Sequence, residues 1–323
     1  PEPPVRAERK RRTNYQNGGI FLPQQTKPTA GSASKPCVFT VLGGDRRQSC
    51  LAQQLAVKGH AVSIVGFEKQ PAPVLGVKAA SRSILPDTDV LILPLPVSVD
   101  GRTVNAPFSD EVFPLDAVFF ALKPGAMVFG GRIDGTVSQA AQNCRCQIRD
   151  YYQREELMVK NAIPTAEGAL QIAMEETAIT IHQSRCLVLG FGRVARAVAA
   201  LFHAAGAKVT AAARRYSDFA WMESLGYHAL DIRRLEGELG RFDIILNTVP
   251  AQVLGQEELA SLKRDALVID LSSKPGGVDF EAAKEQQVRV VWALSLPGRV
   301  APVTSGRIIG DTICNMLEEE GIL

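Results

Sequence analysis

The sequence predicts an α/β fold with two doubly wound, Rossmann-like domains and a cleft between them, and three observations carry that prediction. The stretch VLGGDRR (Val41–Arg47) returns 147 residues later as VLGFGRV (Val188–Val194). Short apolar runs alternate with helical periods along both halves, the pattern of parallel strands joined by crossover helices. A chain of 323 residues with 46% apolar and 22% charged side chains is long enough for two hydrophobic cores.

The elements follow in order. Residues 1–36 carry seven Lys or Arg against Glu2 and Glu8, hold six of the 19 prolines and show no hydrophobic period, so they are expected to form a disordered basic leader. Next come the apolar runs CVFTVLGG, HAVSIVGF, VLILPLP and AMVFGG, with a helix through Leu51 to Lys58. IPTAEGALQIAMEETAITIH then reads as a joining helix that starts near Pro164 and Thr165. The second half continues with RCLVLGFG, a helix from Val194 to Ala205, AKVTAAARR, a helix near Ser217 to Leu225, then FDIILNTVP, ALVIDLSS and VRVVWALS. The expected division is a substrate domain over 37–160 and a cofactor domain over 161–303, with a last helix over 304–320 packing back across the joint. With the halves offset by 147 residues, Gly59 falls on Gly206, Val62 on Val209, Leu55 on Phe202 and Ala52 on Ala199, so the chain reads as two variants of one unit.

Composition excludes several classes. No run reaches the roughly 18 to 20 apolar residues that span a bilayer, and the N-terminus lacks the layout of a secretory signal. A cytoplasmic protein without membrane contact is the expectation. Beyond the leader, 29 basic residues face 32 acidic ones, which gives no nucleic-acid footprint. The six cysteines are scattered and imply neither a disulfide framework nor a metal site.

The second glycine turn has the context of a dinucleotide fingerprint. Gly190, Gly192 and Ala195 form G-x-G-x-x-A between an apolar strand and a helix. Gly190 permits the tight turn, Gly192 the approach of a pyrophosphate, and Ala195 close packing, with Phe191, Arg193 and Val194 completing the turn. The next strand ends in AAARR, where Ala213 offers no carboxylate for a ribose 2′-hydroxyl. Arg214, Arg215 and Ser217 can instead pair with a 2′-phosphate, which favours NADP over NAD. Later loops, with Thr248, Val249 and Pro250 in one and Ser272 in LSSKPGG, are expected along the nicotinamide half of the crevice.

The first turn differs. Asp45 takes the place of Gly192 and Gln48 that of Ala195, so a pyrophosphate would be repelled. A helix N-terminus flanked by Arg46 and Arg47 can still receive a small carboxylate, and one cofactor is expected rather than two.

VLGGDRRQ, IPTAEGAL, VLGFGRVA, NTVP, SSKPGGVDF and LPGRVAPVTSGRII, in that order over roughly Cys37 to Leu317, resemble the family of the dipicolinate synthase A-subunit. The resemblance implies an oxidoreductase of a sporulating bacterium's mother cell, on a branch of the lysine pathway. It would oxidise dihydrodipicolinate, or its hydroxylated tetrahydro precursor, to dipicolinate, with NADP as hydride acceptor and a flavoprotein-like dipicolinate synthase B-subunit as partner. A homo-oligomer is a further association left open. A dicarboxylate calls for cations or N–H donors, which Arg46, Arg47 and Arg132 can provide, and Asp45 and Thr165 complete the expected substrate pocket. Glu167 is a candidate base or a helix cap. Lys274 is a candidate carboxylate clamp or proton acceptor. None of the four histidines sits in a recognisable pair with a carboxylate, unlike the 2-hydroxyacid dehydrogenases of the same layout. The alternatives are another NADP-dependent dehydrogenase of a small carboxylated substrate, or a cofactor-binding protein without turnover.

Overall fold

Residues 37–323 are described by a computed structural model, and the basic leader predicted over 1–36 lies outside the described residues. The first half has strands β1 (Val38–Leu42), β2 (Ala61–Val65), β3 (Lys78–Ala79), β4 (Val90–Ile92), β5 (Met127–Gly130) and β6 (Ile148–Asp150). Its helices are α1 (Arg46–Val57), α2 (Leu115–Phe120) and α3 (Gly135–Asn143). A long helix α4 (Glu155–Glu176) leads to the second half. There the strands are β7 (Arg185–Leu189), β8 (Lys208–Ala213), β9 (His228–Asp231), β10 (Ile244–Asn247), β11 (Leu267–Asp270) and β12 (Arg289–Trp292). The accompanying helices are α5 (Arg193–Ala204), α6 (Tyr216–Ser224), α7 (Gln256–Ala260) and α8 (Phe280–Glu285), followed by α9 (Leu296–Val300) and α10 (Pro302–Glu319).

Both sheets are parallel and six-stranded, ordered β3-β2-β1-β4-β5-β6 and β12-β11-β10-β7-β8-β9. Numbered within each half, both follow the 3-2-1-4-5-6 order of the Rossmann fold, whose crevice lies at the carboxyl ends of the strands where the order reverses. The 147-residue offset holds through β1, α1 and β2, which superpose in sequence on β7, α5 and β8. Helix α5 shows why the pattern is so regular: Ala195, Val198, Ala199 and Phe202 are buried along one face against the second sheet, the spacing of an amphipathic helix.

The strands that the sequence does not reveal are β3, β6 and β9. All three lie at a sheet edge, short and at most partly buried, so they lack the continuous apolar run that marks the central strands.

Helix α4 corrects the reading of the joint. It starts at Glu155, with Pro164 inside it rather than at its first turn. Leu157, Ala162, Ala166, Ala169 and Ala173 are buried along the helix, and this packing overrides the cost of an internal proline. The division expected at residue 160 therefore falls within α4.

Helix α10 returns to the first half. Ile308, Ile309, Ile313 and Leu317 join Phe39, Val41, Leu51 and Leu55 in one buried cluster. The approach to α1 is close: a Cβ on Gly306 would lie 2.4 Å from the Arg47 carbonyl oxygen and 2.9 Å from Cys50 Cβ. Gly306→Ala is expected to force these helices apart and lower stability by about 1–3 kcal/mol, the usual cost of overpacking, read as a lower thermal midpoint with the far-ultraviolet spectrum retained.

Candidate functional site

A cleft of about 660 Å³ opens between the halves. The first half contributes Arg47, Leu95, Pro96 and Arg132, and α4 contributes Met158, Asn161, Ala162 and Thr165, beside Tyr152. The second half contributes the turn Gly190–Val194, the loop Thr248–Pro250, the loop Leu271–Lys274 and the segment Ala293–Pro297. Among the described residues, the lining holds four cationic side chains and no Asp, Glu or His.

The two glycine turns are built alike and finished differently. Gly190 has φ +98° and a Cβ there would meet Thr248 Oγ1 at 2.5 Å, so only glycine fits. Gly192 is the N-cap of α5, makes no side-chain cap, and has nothing within 4 Å of where a Cβ would stand. The helix thus presents uncapped N–H groups to open space, the arrangement a pyrophosphate needs, and the residues fit a dinucleotide. Ala195 is fully buried beneath the turn. Arg193 faces the cleft and pairs with Glu155 at 2.5 Å. Phe191 packs under the guanidinium of Arg196, 4.9 Å from its ring centre.

At the first turn, Asp45 is the N-cap of α1: its Oδ1 accepts the Arg47 N–H at 2.9 Å, while Gln48 Oε1 accepts the Asp45 N–H at 3.2 Å. This corrects the expectation that the N-terminus of α1 awaits an anion, because its own side chains already cap it. Arg47 turns back on the same residue, with Nη2 2.8 Å from Asp45 Oδ2, and also donates to the Leu95 carbonyl at 2.7 Å. Its guanidinium lies against Gly298, where a Cβ would come within 3.0 Å of Nε. Arg47 therefore lines the cleft as a braced group. Arg46 is exposed and, like Asp45, outside the lining.

Glu167 is also displaced from its expected place. It lies in the middle of α4, exposed and outside the lining, so it neither caps a helix start nor faces the crevice. The reason is the early start of α4, which turns Asn161, Ala162 and Thr165 toward the cleft instead. The Thr165 hydroxyl donates to the Asn161 carbonyl at 2.9 Å. Arg214, Arg215 and Ser217 are exposed past the end of β8, at the start of α6 and away from the central cleft.

Two side-chain arrangements lie beyond what the sequence reveals. Asp270, fully buried at the end of β11, accepts from Asn247 Nδ2 at 2.9 Å, Ser272 N at 2.9 Å and Ser272 Oγ at 2.7 Å. Its other oxygen accepts the Gly277 N–H at 2.8 Å. One carboxylate thereby fixes the ends of both loops on the cofactor side. Tyr151, fully buried, donates its hydroxyl to the Leu93 carbonyl at 3.0 Å; burial pushes that hydroxyl far up, so it stays protonated. The signal for Asp270 is an acidic residue closing an apolar strand, which by itself says nothing about burial.

Known proteins share this layout. Residues 38–152 match the N-terminal domain of the dipicolinate synthase A-subunit, and residues 147–280 match the NAD-binding domain of D-isomer specific 2-hydroxyacid dehydrogenases. The dipicolinate synthase A-subunit of Bacillus subtilis (strain 168) is 30% identical over 284 residues, covering 87% of this chain and 96% of the relative. The chain belongs to the dipicolinate synthase A-subunit family.

The crystal structure of the dipicolinate synthase A-subunit from Bacillus halodurans superposes with a TM-score of 0.81 at 31% identity, over 87% of this chain and 97% of that one. That of the Bacillus subtilis protein gives 0.80 at 29%, over 88% and 97%. In this member of the family, the second half is a nicotinamide dinucleotide-binding domain of dehydrogenase type, and the family's name implies a second, partner polypeptide. Among the described residues no helix is long and apolar enough to cross a membrane, and no cluster of His, Cys, Asp and Glu could hold a metal ion.

Proposed function

We propose that this chain is an NADP-dependent dehydrogenase that oxidises dihydrodipicolinate, or its hydroxylated tetrahydro precursor, to dipicolinate in the mother cell of a sporulating bacterium. The observation that carries the reading is the cleft itself, lined among the described residues by four cations, two of them in no ion pair, and by no acidic side chain, beside an uncapped helix N-terminus. Such a site suits two anions at once, a dinucleotide pyrophosphate and a small dicarboxylate.

A bound nicotinamide dinucleotide supplies the hydride acceptor. The chain's own task is then alignment: the loops Thr248–Pro250 and Leu271–Lys274, tied together by Asp270, hold the floor against which a flat ring can lie. The dihydro ring gives up a hydride and a proton, the hydroxylated tetrahydro precursor losing water as well, and aromatisation drives the step. With Glu167 outside the cleft and no carboxylate or imidazole among the described residues of its lining, the proton passes to water or to the Lys274 amine.

NADP is favoured by the end of β8. Ala213 pairs in register with Asp231, and Asp231 is taken by Arg233 at 2.7 Å. That hydrogen-bonded guanidinium holds the Asp231 carboxyl down at about 2. Arg214, Arg215 and the Ser217 hydroxyl remain exposed at the start of α6 to receive a 2′-phosphate. Arg214→Ala is expected to weaken NADP binding by about 10-fold or more and leave NAD binding nearly unchanged; equal losses for both cofactors would refute the 2′-phosphate role.

The test of function is a turnover assay with the lysine-pathway dihydrodipicolinate, followed at the nicotinamide absorbance, with NADP and with NAD, alone and with the flavoprotein-like B-subunit. NADP reduction with dipicolinate as product is the expected result. NADP binding without reduction under every condition would make the chain a cofactor-binding protein without turnover instead.

A further inference from the structure

Four cations line the cleft, but they are not equivalent. Arg47 is held by Asp45 and the Leu95 carbonyl and lies close against Gly298. Arg193 is held by Glu155 on α4, within the turn that suits the pyrophosphate. The remaining two, Arg132 and Lys274, are exposed and form no ion pair or side-chain hydrogen bond among the described residues.

These two occupy corresponding places in the two halves. Arg132 follows β5 and Lys274 follows β11, each the fifth strand of its own half, and each sheet has the same strand order. The loop carrying Arg132 is itself fixed. Arg132 has φ +56°, a left-handed conformation unusual for a residue other than glycine. Asp150 holds it there, accepting from Arg132 N and Ile133 N at 3.0 Å each and from Tyr152 N at 2.8 Å. Lys274 sits in a turn closed by the Gly276 N–H on the Ser273 carbonyl at 3.0 Å, next to the Ser272 that Asp270 holds.

From this we infer that Arg132 and Lys274 form a split clamp, one cation from each half, that takes the two carboxylates of the substrate and so makes it a bridge across the cleft. The inference rests on the function proposed above and deepens it by naming the recognition elements. Pyridine-2,6-dicarboxylate has two equivalent carboxylates on either side of a ring nitrogen, and corresponding loops of two related halves offer one cation to each. Lys274 then acts as an ammonium, and the proton released on oxidation leaves to water. Arg47, the arginine of the altered glycine turn that lines the cleft, packs against Gly298 of α9 and is held by Asp45 rather than meeting substrate. A monocarboxylate can occupy one side of the clamp and cannot join the halves.

The experiment is calorimetric titration of the NADP-loaded protein with pyridine-2,6-dicarboxylate and with pyridine-2-carboxylate, on wild type, Arg132→Gln, Lys274→Gln and the double variant. Wild type is expected to prefer the dicarboxylate by about 10- to 100-fold, the worth of one charge-assisted carboxylate contact. Each single variant should lose dicarboxylate affinity by a comparable factor, bind the two ligands within about threefold of one another, and keep its NADP affinity. Variants that retain the wild-type preference, or a wild type with no preference that still turns over dihydrodipicolinate, would overturn the clamp and leave the proposed activity standing. A wild type that neither binds dipicolinate nor oxidises the substrate would overturn both.

Discussion

Gly192→Asp is expected to abolish dinucleotide binding while leaving the protein folded and no less stable. The chain already carries the outcome of this substitution at the corresponding position of its other half. There, Asp45 caps α1 and satisfies the Arg47 N–H from within. Gly192 stands at the N-cap of α5 with φ −78°, ψ −167° and open space where a side chain would project, so an aspartate fits without strain. It would accept the first-turn N–H groups that a pyrophosphate needs and place a negative charge beside them. Helix stability should rise by a few tenths of a kcal/mol, the difference between Asp and Gly at an N-cap. NADP affinity should fall by about 100-fold or more, since both the donors and the sign of the local field are lost. Fluorescence titration of NADPH together with thermal unfolding reads both effects. A dissociation constant close to that of wild type, with an unchanged melting midpoint, would show that the pyrophosphate does not sit on this helix.

The second large effect is expected at Asp270. Its carboxylate accepts four hydrogen bonds in a fully buried setting, from Asn247, Gly277 and twice from Ser272. Asp270→Ala leaves one N–H of the Asn247 amide, whose other N–H is held by the Val249 carbonyl, and two backbone N–H groups without an acceptor, where each buried unpaired group costs about 1–3 kcal/mol. A loss of at least about 3 kcal/mol follows, measured by denaturant unfolding. NADP binding should weaken as well, because the loops after β10 and β11 lose their common anchor. Asp270→Asn keeps one acceptor oxygen but turns an amide N–H₂ toward donors, so it should fall between wild type and Asp270→Ala in both measurements. An alanine variant as stable as wild type would mean that water replaces the carboxylate and that the loops are held by other contacts.

Much of the architecture is legible in the sequence because the residues that encode it act locally. The strand run, the Gly190 turn with its positive φ and the 3.6-residue period of α5 need no knowledge of the rest of the chain. The absence of a carboxylate at Ala213 is legible for the same reason. The 147-residue repeat is visible through β1, α1 and β2 and then lost, since the later loops of the two halves differ in length.

The site is less legible, and particular residues show why. Arg46 and Arg47 are neighbours in sequence and identical in type, yet one is exposed and the other is clasped between Asp45, the Leu95 carbonyl and Gly298. Glu167 reads as a crevice residue because Pro164 looks like a helix start, and the helix begins at Glu155 instead. Shifting a helix start rotates every later side chain by about 100° per residue, so the wrong start exchanges cleft and solvent faces.

The sequence by itself determined the two Rossmann-like halves, the single intact dinucleotide turn and the family, because turn sterics, strand periodicity and the order of short motifs are properties of contiguous residues. Only the tertiary structure decided that α10 returns to α1 through Gly306, that Asp45 directs its charge to Arg47, and that Arg132 and Lys274 are left facing one cleft. Those outcomes depend on which groups come within hydrogen-bond reach once the chain is folded, and a cation already paired inside the protein, as Arg47 is with Asp45, has less of its charge left to offer a ligand.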